Sequence, residues 1–496
     1  MWTVGLGVLV AMSGCSKTYL GSGDDDDDAF VDPTGTPPST TDPVTSTPEP
    51  VRPLVSDLEI AKVSLFQGVE AVLVENGKVP NALQMPVIIG RPGLLRVFVA
   101  PNGSWTPRKV TGILTVTSTD GTTVLESTLR VDEASRPDES TTINFDLDGA
   151  LLKRTTEFHL ELVEETPDGP GGGLEQDVVW DSDALGGLDA DNTDELQIVL
   201  VPVRYNADGS GRLPDTSPQQ VQRIEDLAMG VYPATSVTVR VDPPFDWDEP
   251  IGAFNGNQWG DILSAINALR DRANEAPNTY YYGMFVPEPT IAAFCNQGCI
   301  LGLSLLAFTA QDPYFRASVG IGYTGDYTSE TIVHEFGHAH GRSHADCGGA
   351  SGTDPQYPYP GAKIGVWGNS VVTGEVFGPQ DTVDMMSYCT PIWVSDYTFY
   401  ALYERMNTVA GQNRRIAPTP RTALRVLDDG SSVSAGTMSL ADTAGAPRVD
   451  IRVFDASGVS QGQTTAAFFP YDHVAGGFVA LDEQLPEGWT AEVVSP

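Results

Sequence analysis

One stretch of this sequence, HEFGHAHGRSH, constrains the fold more than any other. On a helix, residues four apart share a face, so His334 and His338 can offer ring nitrogens to one metal ion. Glu335 lies beside them, where a general base is needed. Gly341 adopts a left-handed conformation at little cost, so the helix can end there and return His344 as a third ligand. The pattern predicts a catalytic Zn²⁺ site with water in the fourth position.

The chain has six histidines, and three of them fall outside this ligand set. His340 is predicted to lie off the ligand face, either exposed to solvent or behind the ligands. His159 and His473 each stand alone in a strand-like or loop-like context, and both are interpreted as ordinary structural residues.

A second element follows a Gly- and Pro-rich stretch, where residues 384–389 read DMMSYC. Together with the histidine motif, this segment resembles the metzincin clan of zinc metallopeptidases, which have a methionine turn beneath the metal. Met386 is the better match for that methionine, because Met-Ser-Tyr fits the serralysin-like and astacin-like pattern. The resemblance implies that Tyr388 reaches the zinc or the transition-state oxyanion; a packed core tyrosine is the alternative.

The sequence before the motif alternates between strand-like and helix-like periodicity. The alternating runs are Leu196–Arg204, Pro218–Met229, Ser236–Val241, Gln258–Ala273 and Tyr280–Val286. This order predicts a mixed sheet covered by helices, in agreement with the metzincin resemblance. The predicted fold is multidomain, with an α/β (α+β) metzincin-like catalytic domain at residues 195–412.

Strand-like runs separated by turn residues flank this domain on both sides. Residues 54–190 contain runs such as Leu94–Val99, Thr111–Thr117 and Phe158–Val163, which predict a β-sandwich. Residues 418–496 contain a further set of short strands, including Arg448–Phe454, which predicts a smaller β domain.

The N-terminus predicts export. Residues 1–15 combine a short apolar core with Met12-Ser13-Gly14-Cys15, which resembles a bacterial lipobox in which Cys15 is lipidated. An ordinary cleaved signal peptide is the alternative. Residues 16–53 are acidic and rich in Pro, Thr and Ser, a composition that favours a solvated tether. We therefore expect an exported lipoprotein of the bacterial cell envelope, at the outer membrane or cell surface, attached to the membrane only through lipid.

Four further cysteines remain once Cys15 is assigned to lipid, and four cysteines allow three pairings. We favour Cys295 with Cys299, which closes a tight loop, and Cys347 with Cys389, which joins the segment after the third histidine to the methionine turn. A cysteine-based metal site is the alternative, although the usual Cys-x-x-Cys spacing is absent.

The formal net charge of −38 argues against a nucleic-acid partner, because phosphates would be repelled. Bound Ca²⁺ stays open as a second ion, although no Ca²⁺-binding loop motif is evident. The sequence predicts an exported zinc metalloendopeptidase acting on a protein or glycoprotein substrate, with Glu335 as general base. The alternative is a surface adhesin or glycan-binding protein that carries a vestigial metalloprotease domain.

Overall fold

The computed structural model describes residues 51–80, 85–137, 139–188, 192–310, 312–411 and 419–495. Within these ranges the chain is multidomain and rich in strands, with few helices and several sheets. The predicted signal segment, Cys15 and the tether up to residue 50 lie outside the described residues. No helix among the described residues is both long enough and apolar enough to span a bilayer.

The first region contains two antiparallel four-stranded sheets that share one apolar core. The strands are Leu58–Phe66 (β1), Glu70–Glu75 (β2), Gly93–Pro101 (β3), Arg108–Ser118 (β4), Gly121–Val131 (β5), Ile143–Leu147 (β6), Glu157–Glu164 (β7) and Val179–Asp181 (β8), with a short helix at Glu175–Val178 (α1). The sheet orders are β2-β1-β3-β6 and β5-β4-β7-β8. Val97 from one sheet and Leu114 from the other are both fully buried, as expected for a sandwich.

The central region is a mixed sheet with helices on its faces. Its strands are Leu196–Tyr205 (β9), Val237–Val241 (β10), Phe245–Trp247 (β11), Thr279–Phe285 (β12), Gly302–Leu303 (β13) and Ala317–Ile321 (β14). Its helices are Pro218–Val231 (α2), Gly256–Ala273 (α3), Ile291–Phe294 (α4), Asp326–Ala339 (α5) and Asp396–Ala410 (α6). The order is β10-β9-β12-β14-β13, and only β13, at the edge, runs antiparallel to its neighbour. Every residue of β12 and β14 is buried, which is typical of strands covered on both faces.

The helices divide between the two faces of this sheet. Helices α2, α5 and α6 share one core with alternate residues of β9 and β12, and α3 packs on the opposite face. Two two-stranded sheets follow α5, formed by Gly368–Asn369 (β15) with Val376–Phe377 (β16) and by Val383–Asp384 (β17) with Ile392–Trp393 (β18). Since α5 follows directly from the buried strand β14, the histidine motif stands on a rigid element.

The first region is joined to the central one by buried polar contacts. The guanidinium of Arg91 is fully buried and donates hydrogen bonds to the carbonyl oxygens of Tyr232 (2.9 Å) and Ala234 (2.7 Å), which follow the end of α2. Trp393 Nε1 donates to the carbonyl of Gly68 at 2.8 Å. These bonds satisfy carbonyls that would otherwise be buried without partners, so they fix how the two regions meet.

The last region is a curled antiparallel sheet that packs against the central region. Its strands are Thr419–Val426 (β19), Ser432–Leu440 (β20), Arg448–Phe454 (β21), Ser460–Pro470 (β22), Gly477–Ala480 (β23) and Thr490–Ser495 (β24), in the order β20-β19-β23-β22-β21-β24. The edge strands approach each other, because Val493 N donates to Ser432 Oγ at 3.0 Å. Phe469 packs on Phe315 with ring centroids 4.5 Å apart, and the sheet shares a buried core with α3. The loop between β22 and β23 is thereby carried to the central region.

Candidate metal centre

Helix α5 presents the first two histidines of the motif on one face. His334 and His338 are buried, and their Nε2 atoms lie 3.1 Å apart. The separation follows from helical geometry, because residues four apart stand one above the other. Both side chains therefore point at one place.

Gly341 brings the third histidine to the same place. Helix α5 ends at Ala339, and Gly341 has a φ of 83°, the left-handed region that glycine favours. A Cβ at this position would lie 2.6 Å from the carbonyl oxygen of Ala307, so there is also no room for a side chain. The chain reverses here, and His344 Nε2 lies 3.1 Å from His338 Nε2.

Backbone carbonyls fix the orientation of the three rings. The carbonyl oxygens of Met385, Arg342 and Ser351 lie within hydrogen-bond distance of Nδ1 of His334, His338 and His344, respectively. A carbonyl can only accept, so each Nδ1 carries the proton and each Nε2 keeps its lone pair. Burial lowers the pKa of His334 and His338 well below the usual value and that of His344 to about 4, so all three rings are neutral.

This donor set fits a metal ion. Three lone pairs held at these distances repel one another unless a cation lies between them. Neutral imidazole nitrogens oriented by backbone carbonyls are characteristic ligands of zinc and similar transition metals. The histidine ligand atoms, with that of His473, all lie within 4.8 Å of one another. The described residues therefore contain a buried cluster able to hold a metal.

Glu335 lies beside this cluster in a closely fitted position. The residue is only 1% exposed, and its carboxyl group lies against the buried carboxyl group of Asp472. Burial raises the pKa of its carboxyl to about 8, and a cation held by the neighbouring histidines would lower the pKa again toward the ionised form that a general base needs. The edge strand β13 passes against it at Gly302, where a Cβ would come within 2.2 Å of Glu335 Oε1. A larger residue on β13 would displace the carboxylate.

The segment with the predicted methionine turn lies beneath α5. Met386 is buried, and its Sδ would lie 2.2 Å from a Cβ placed on Gly337, so helix and turn are in direct contact. Asp384 shapes the turn, because its carboxylate accepts from Met386 N at 2.8 Å and from Ser395 N at 2.9 Å. Met385 supplies the carbonyl that orients His334.

Tyr388 reaches the metal cluster from this turn. Its hydroxyl lies 3.3 Å from His344 Nε2 and also bonds to His473 Nδ1. The residue is 42% exposed, so it borders the cleft instead of packing in the core. Burial of the hydroxyl end raises its pKa, so the phenol keeps its proton at neutral pH.

Both favoured cysteine pairings are confirmed. Cys347 is bonded to Cys389, and this bond ties the segment after His344 to the segment after Tyr388. Cys295 is bonded to Cys299 in the loop before β13. Disulfides of this kind persist in oxidising compartments, which indicates an extracellular or envelope location.

The prediction that His473 stands alone, apart from the ligand histidines, was wrong. His473 lies in the loop between β22 and β23, and its Nε2 is 2.9 Å from Glu335 Oε1. The neighbouring carboxylate, Asp472, has a buried side chain with Oδ2 3.3 Å from His338 Nε2. Neither residue has a local sequence pattern that marks it. Both residues reach the cluster only through the tertiary contact between the last sheet and the central region.

The two remaining histidines are outside the cluster. His340 does lie off the ligand face but is not exposed: it is buried, stacks on Tyr280 with ring centroids 4.4 Å apart, and bonds to the carbonyl of Phe336. His159 stands on β7 beside Asp181, at 2.7 Å, and has no contact with the metal cluster.

A cleft of about 470 Å³ opens onto the cluster. His334, Glu335, Tyr388 and His473 line it on the side of the cluster. Its remaining lining is largely apolar and includes Phe254, Ile300, Leu301, Tyr327, Met385 and Ile392. The cleft gives solvent and ligands a path to the polar groups of the centre.

Comparison with known proteins leaves the family open. No family model matches the sequence, and no curated protein matches it. A Bacteroides fragilis protein assigned as a beta-galactosidase shares 13% identity over 47% of this chain and 34% of its own, with a TM-score of 0.13. A Parabacteroides merdae beta-glucuronidase shares 11% over 88% and 63%, and a glycosyl hydrolase family 2 member from Bacteroides cellulosilyticus shares 11% over 81% and 62%, both with TM-scores of 0.14. The chain thus spans less than two thirds of each structure, and TM-scores this low do not amount to a shared fold.

Proposed function

We propose that this protein is a zinc metalloendopeptidase of metzincin type, exported and anchored to the bacterial envelope by lipid at Cys15. The convergence of three neutral histidine Nε2 atoms beside the buried carboxylate of Glu335 carries the proposal. The contact of Met386 with the helix at Gly337 supports the metzincin type. The two disulfides support export.

His334, His338 and His344 would hold the ion through Nε2. When bound, zinc supplies a Lewis acid that acidifies water and polarises a carbonyl. Glu335 removes the proton of the attacking water and delivers it to the leaving nitrogen, the two tasks of a general base and then a general acid. The Tyr388 hydroxyl, protonated and at the border of the cleft, donates a hydrogen bond to the oxyanion that develops on the substrate.

The substrate class follows from the edge strand and the cleft. A peptide bond has to lie beside Glu335, and the neighbouring strand β13 is the antiparallel edge of the sheet. An extended peptide can add to such an edge by main-chain hydrogen bonds. The apolar lining from Leu301 and Ile392 favours an apolar side chain next to the scissile bond. We therefore expect cleavage of extended or unfolded protein segments.

The test combines metal content, cleavage and one substitution. Wild-type protein should contain one zinc per chain and should cleave a denatured protein mixture. Glu335→Gln should keep the fold and the zinc while lowering turnover by roughly 10² to 10⁴, the range for lost general acid–base catalysis. Unchanged turnover in zinc-loaded Glu335→Gln would contradict the proposed peptidase mechanism. Zinc-free protein without cleavage would favour the adhesin or glycan-binding alternative.

A further inference from the structure

The turn between β22 and β23 lies against the chain that continues from the edge strand β13. Tyr471 forms an antiparallel bridge with Leu305, and Leu306 N donates to the carbonyl of Pro470 at 3.3 Å. Ser304 N donates to Asp472 Oδ1 at 3.1 Å. The turn thus pairs with residues 304–306, just after the edge strand, through main-chain hydrogen bonds of the kind that extended peptides make with sheet edges.

His473 lies in this turn and contacts both polar groups beside the metal cluster, the Glu335 carboxyl and the Tyr388 hydroxyl. Its Nε2 lies 2.9 Å from Glu335 Oε1, and its Nδ1 bonds to the hydroxyl of Tyr388. Its ring centroid lies 5.3 Å from that of His334 and 5.0 Å from that of His344. The ring therefore fills the space between Glu335 and Tyr388.

His473 also belongs to the cluster of ligand atoms. One ligand nitrogen from each of His334, His338, His344 and His473 lies within 4.8 Å of the other three. Structural zinc sites are closed by four protein ligands, whereas catalytic sites keep one position open for water. A fourth histidine converts the open arrangement into the closed one.

We propose that His473 is the fourth protein ligand of the resting metal centre and that its ring acts as an internal latch, which withdraws before substrate binds; the nitrogen that binds the ion gives up its hydrogen bond to Glu335 or Tyr388. The ligand assignment stands on the cluster alone, and its catalytic consequence rests on the proposed peptidase function. Asp472 holds His473 in this position, because its Oδ1 accepts hydrogen bonds from His473 N at 2.8 Å and from Ser304 N.

The His473 side chain can move while its neighbours stay in place, because Tyr471 belongs to the buried core shared with α3 and Asp472 Oδ1 accepts from Ser304 N. Phe469 and Phe478, on either side of the turn, belong to the buried core shared with α3. Gly476 and Gly477 follow the turn with φ values of 99° and 148°, conformations open to glycine. A hinge of this kind absorbs a backbone change over a few residues. Withdrawal of the His473 ring therefore requires no separation of the two regions.

The experiment uses full-length protein loaded with Co²⁺, whose visible spectrum reports the ligands, and acetohydroxamate as a probe of an open coordination position. The variants are His473→Ala and His473→Phe; the second keeps a ring in the space and guards against loss of folding in the first. His159→Ala is the matched control, because this histidine lies outside the cluster.

Both His473 variants should show a changed Co²⁺ spectrum, and His473→Ala, which also empties the space, should bind acetohydroxamate more tightly than wild type. If about 99% of wild-type molecules are latched, the apparent affinity rises about 100-fold on unlatching. His159→Ala should match wild type. A Co²⁺ spectrum unchanged in both His473 variants would overturn the assignment.

Cleavage of a denatured protein separates this proposal from the peptidase proposal. A higher rate in His473→Ala supports both. Tighter acetohydroxamate binding without cleavage in any variant would support the assignment of His473 as a ligand and contradict the proposed peptidase function. A lower cleavage rate in His473→Ala with an unchanged Co²⁺ spectrum would make His473 part of the catalytic machinery and overturn the latch.

Discussion

Gly302 lies so close to Glu335 that a methyl group on Gly302 would come within 2.2 Å of the Oε1 atom. Both residues are buried, and each sits on a rigid element, one on the edge strand and the other on α5. Neither can retreat easily from the other. The position of the carboxylate is thus set by a neighbouring strand as well as by its own helix.

Gly302→Ala should lower turnover while leaving the fold and the zinc content intact. Alanine has to push the Glu335 carboxylate away from the cluster, and misplacement by about 1 Å can cost roughly 10²-fold in rate. The measurement is kcat on a peptide substrate together with metal analysis. Gly103→Ala is the matched control, because a Cβ there would meet nothing within 4 Å. Equal rates for both variants would mean that Glu335 tolerates displacement.

Substitution of His344 should affect zinc binding, whereas substitution of His340 should affect the stability of the fold. His344→Ala removes a ring from the cluster and should weaken zinc binding more than about 100-fold, beyond the loss typical for residues that only support ligands. His340→Ala should keep the zinc affinity but lower the free energy of unfolding by roughly 2 to 4 kcal/mol, because it leaves a cavity beside Tyr280.

Zinc titration and denaturant unfolding measure the two effects separately. His159→Ala, on an exposed side chain of β7, should change neither quantity. Loss of zinc affinity in His340→Ala equal to that in His344→Ala would contradict the division of the histidines.

Local periodicity was sufficient for most elements of the fold. The runs predicted as strands and helices between Leu196 and Val286 all fall within or overlap β9, α2, β10, α3 and β12, with ends that differ by a few residues. The side-chain periods of 2 and 3.6 residues are local properties of the sequence, which explains this agreement. The turn at Gly341 could be predicted for the same reason.

Tertiary contacts could not be predicted from the local periodicity of the sequence. Nothing near His473 in sequence marks it, and its role depends on how the last sheet packs against α3 and β13. The burial of His340 likewise depends on Tyr280, a residue of another strand. The sequence also could not reveal that the last sheet shares its core with the central region, since both cores are built from the same apolar residue types.

Cys15→Ser should release the protein from membranes. Removal of the lipidated residue removes the hydrophobic anchor that we propose, whereas wild-type protein should fractionate with the envelope. Fractionation followed by detection of the protein measures the outcome, and Ser13→Ala is a control that keeps the cysteine and a small residue before it. Retention of Cys15→Ser in the membrane fraction would contradict lipid anchoring and leave the peptidase proposal untouched.

Asp312 should make the stability of the protein fall as the pH rises. Its buried carboxylate accepts from Ala441 N, and from Asp442 N at 3.4 Å, so it ties the central region to the end of β20. Burial raises its pKa from 3.8 to about 6. A carboxyl whose pKa is higher in the folded state contributes stability below pH 3.8, and this contribution is lost as the pH rises through about 6.

Between pH 5 and pH 8, wild type should therefore lose roughly 1 to 2 kcal/mol of unfolding free energy relative to Asp312→Asn, which cannot ionise. Denaturant unfolding of both proteins at a series of pH values measures this difference, and the contributions of distant groups, including the metal cluster, cancel in it. Asp442→Asn is the control, because it removes a neighbouring half-buried charge but keeps the buried carboxyl of Asp312. A difference that stays constant over this pH range would mean that Asp312 ionises as easily in the folded protein as in the unfolded chain.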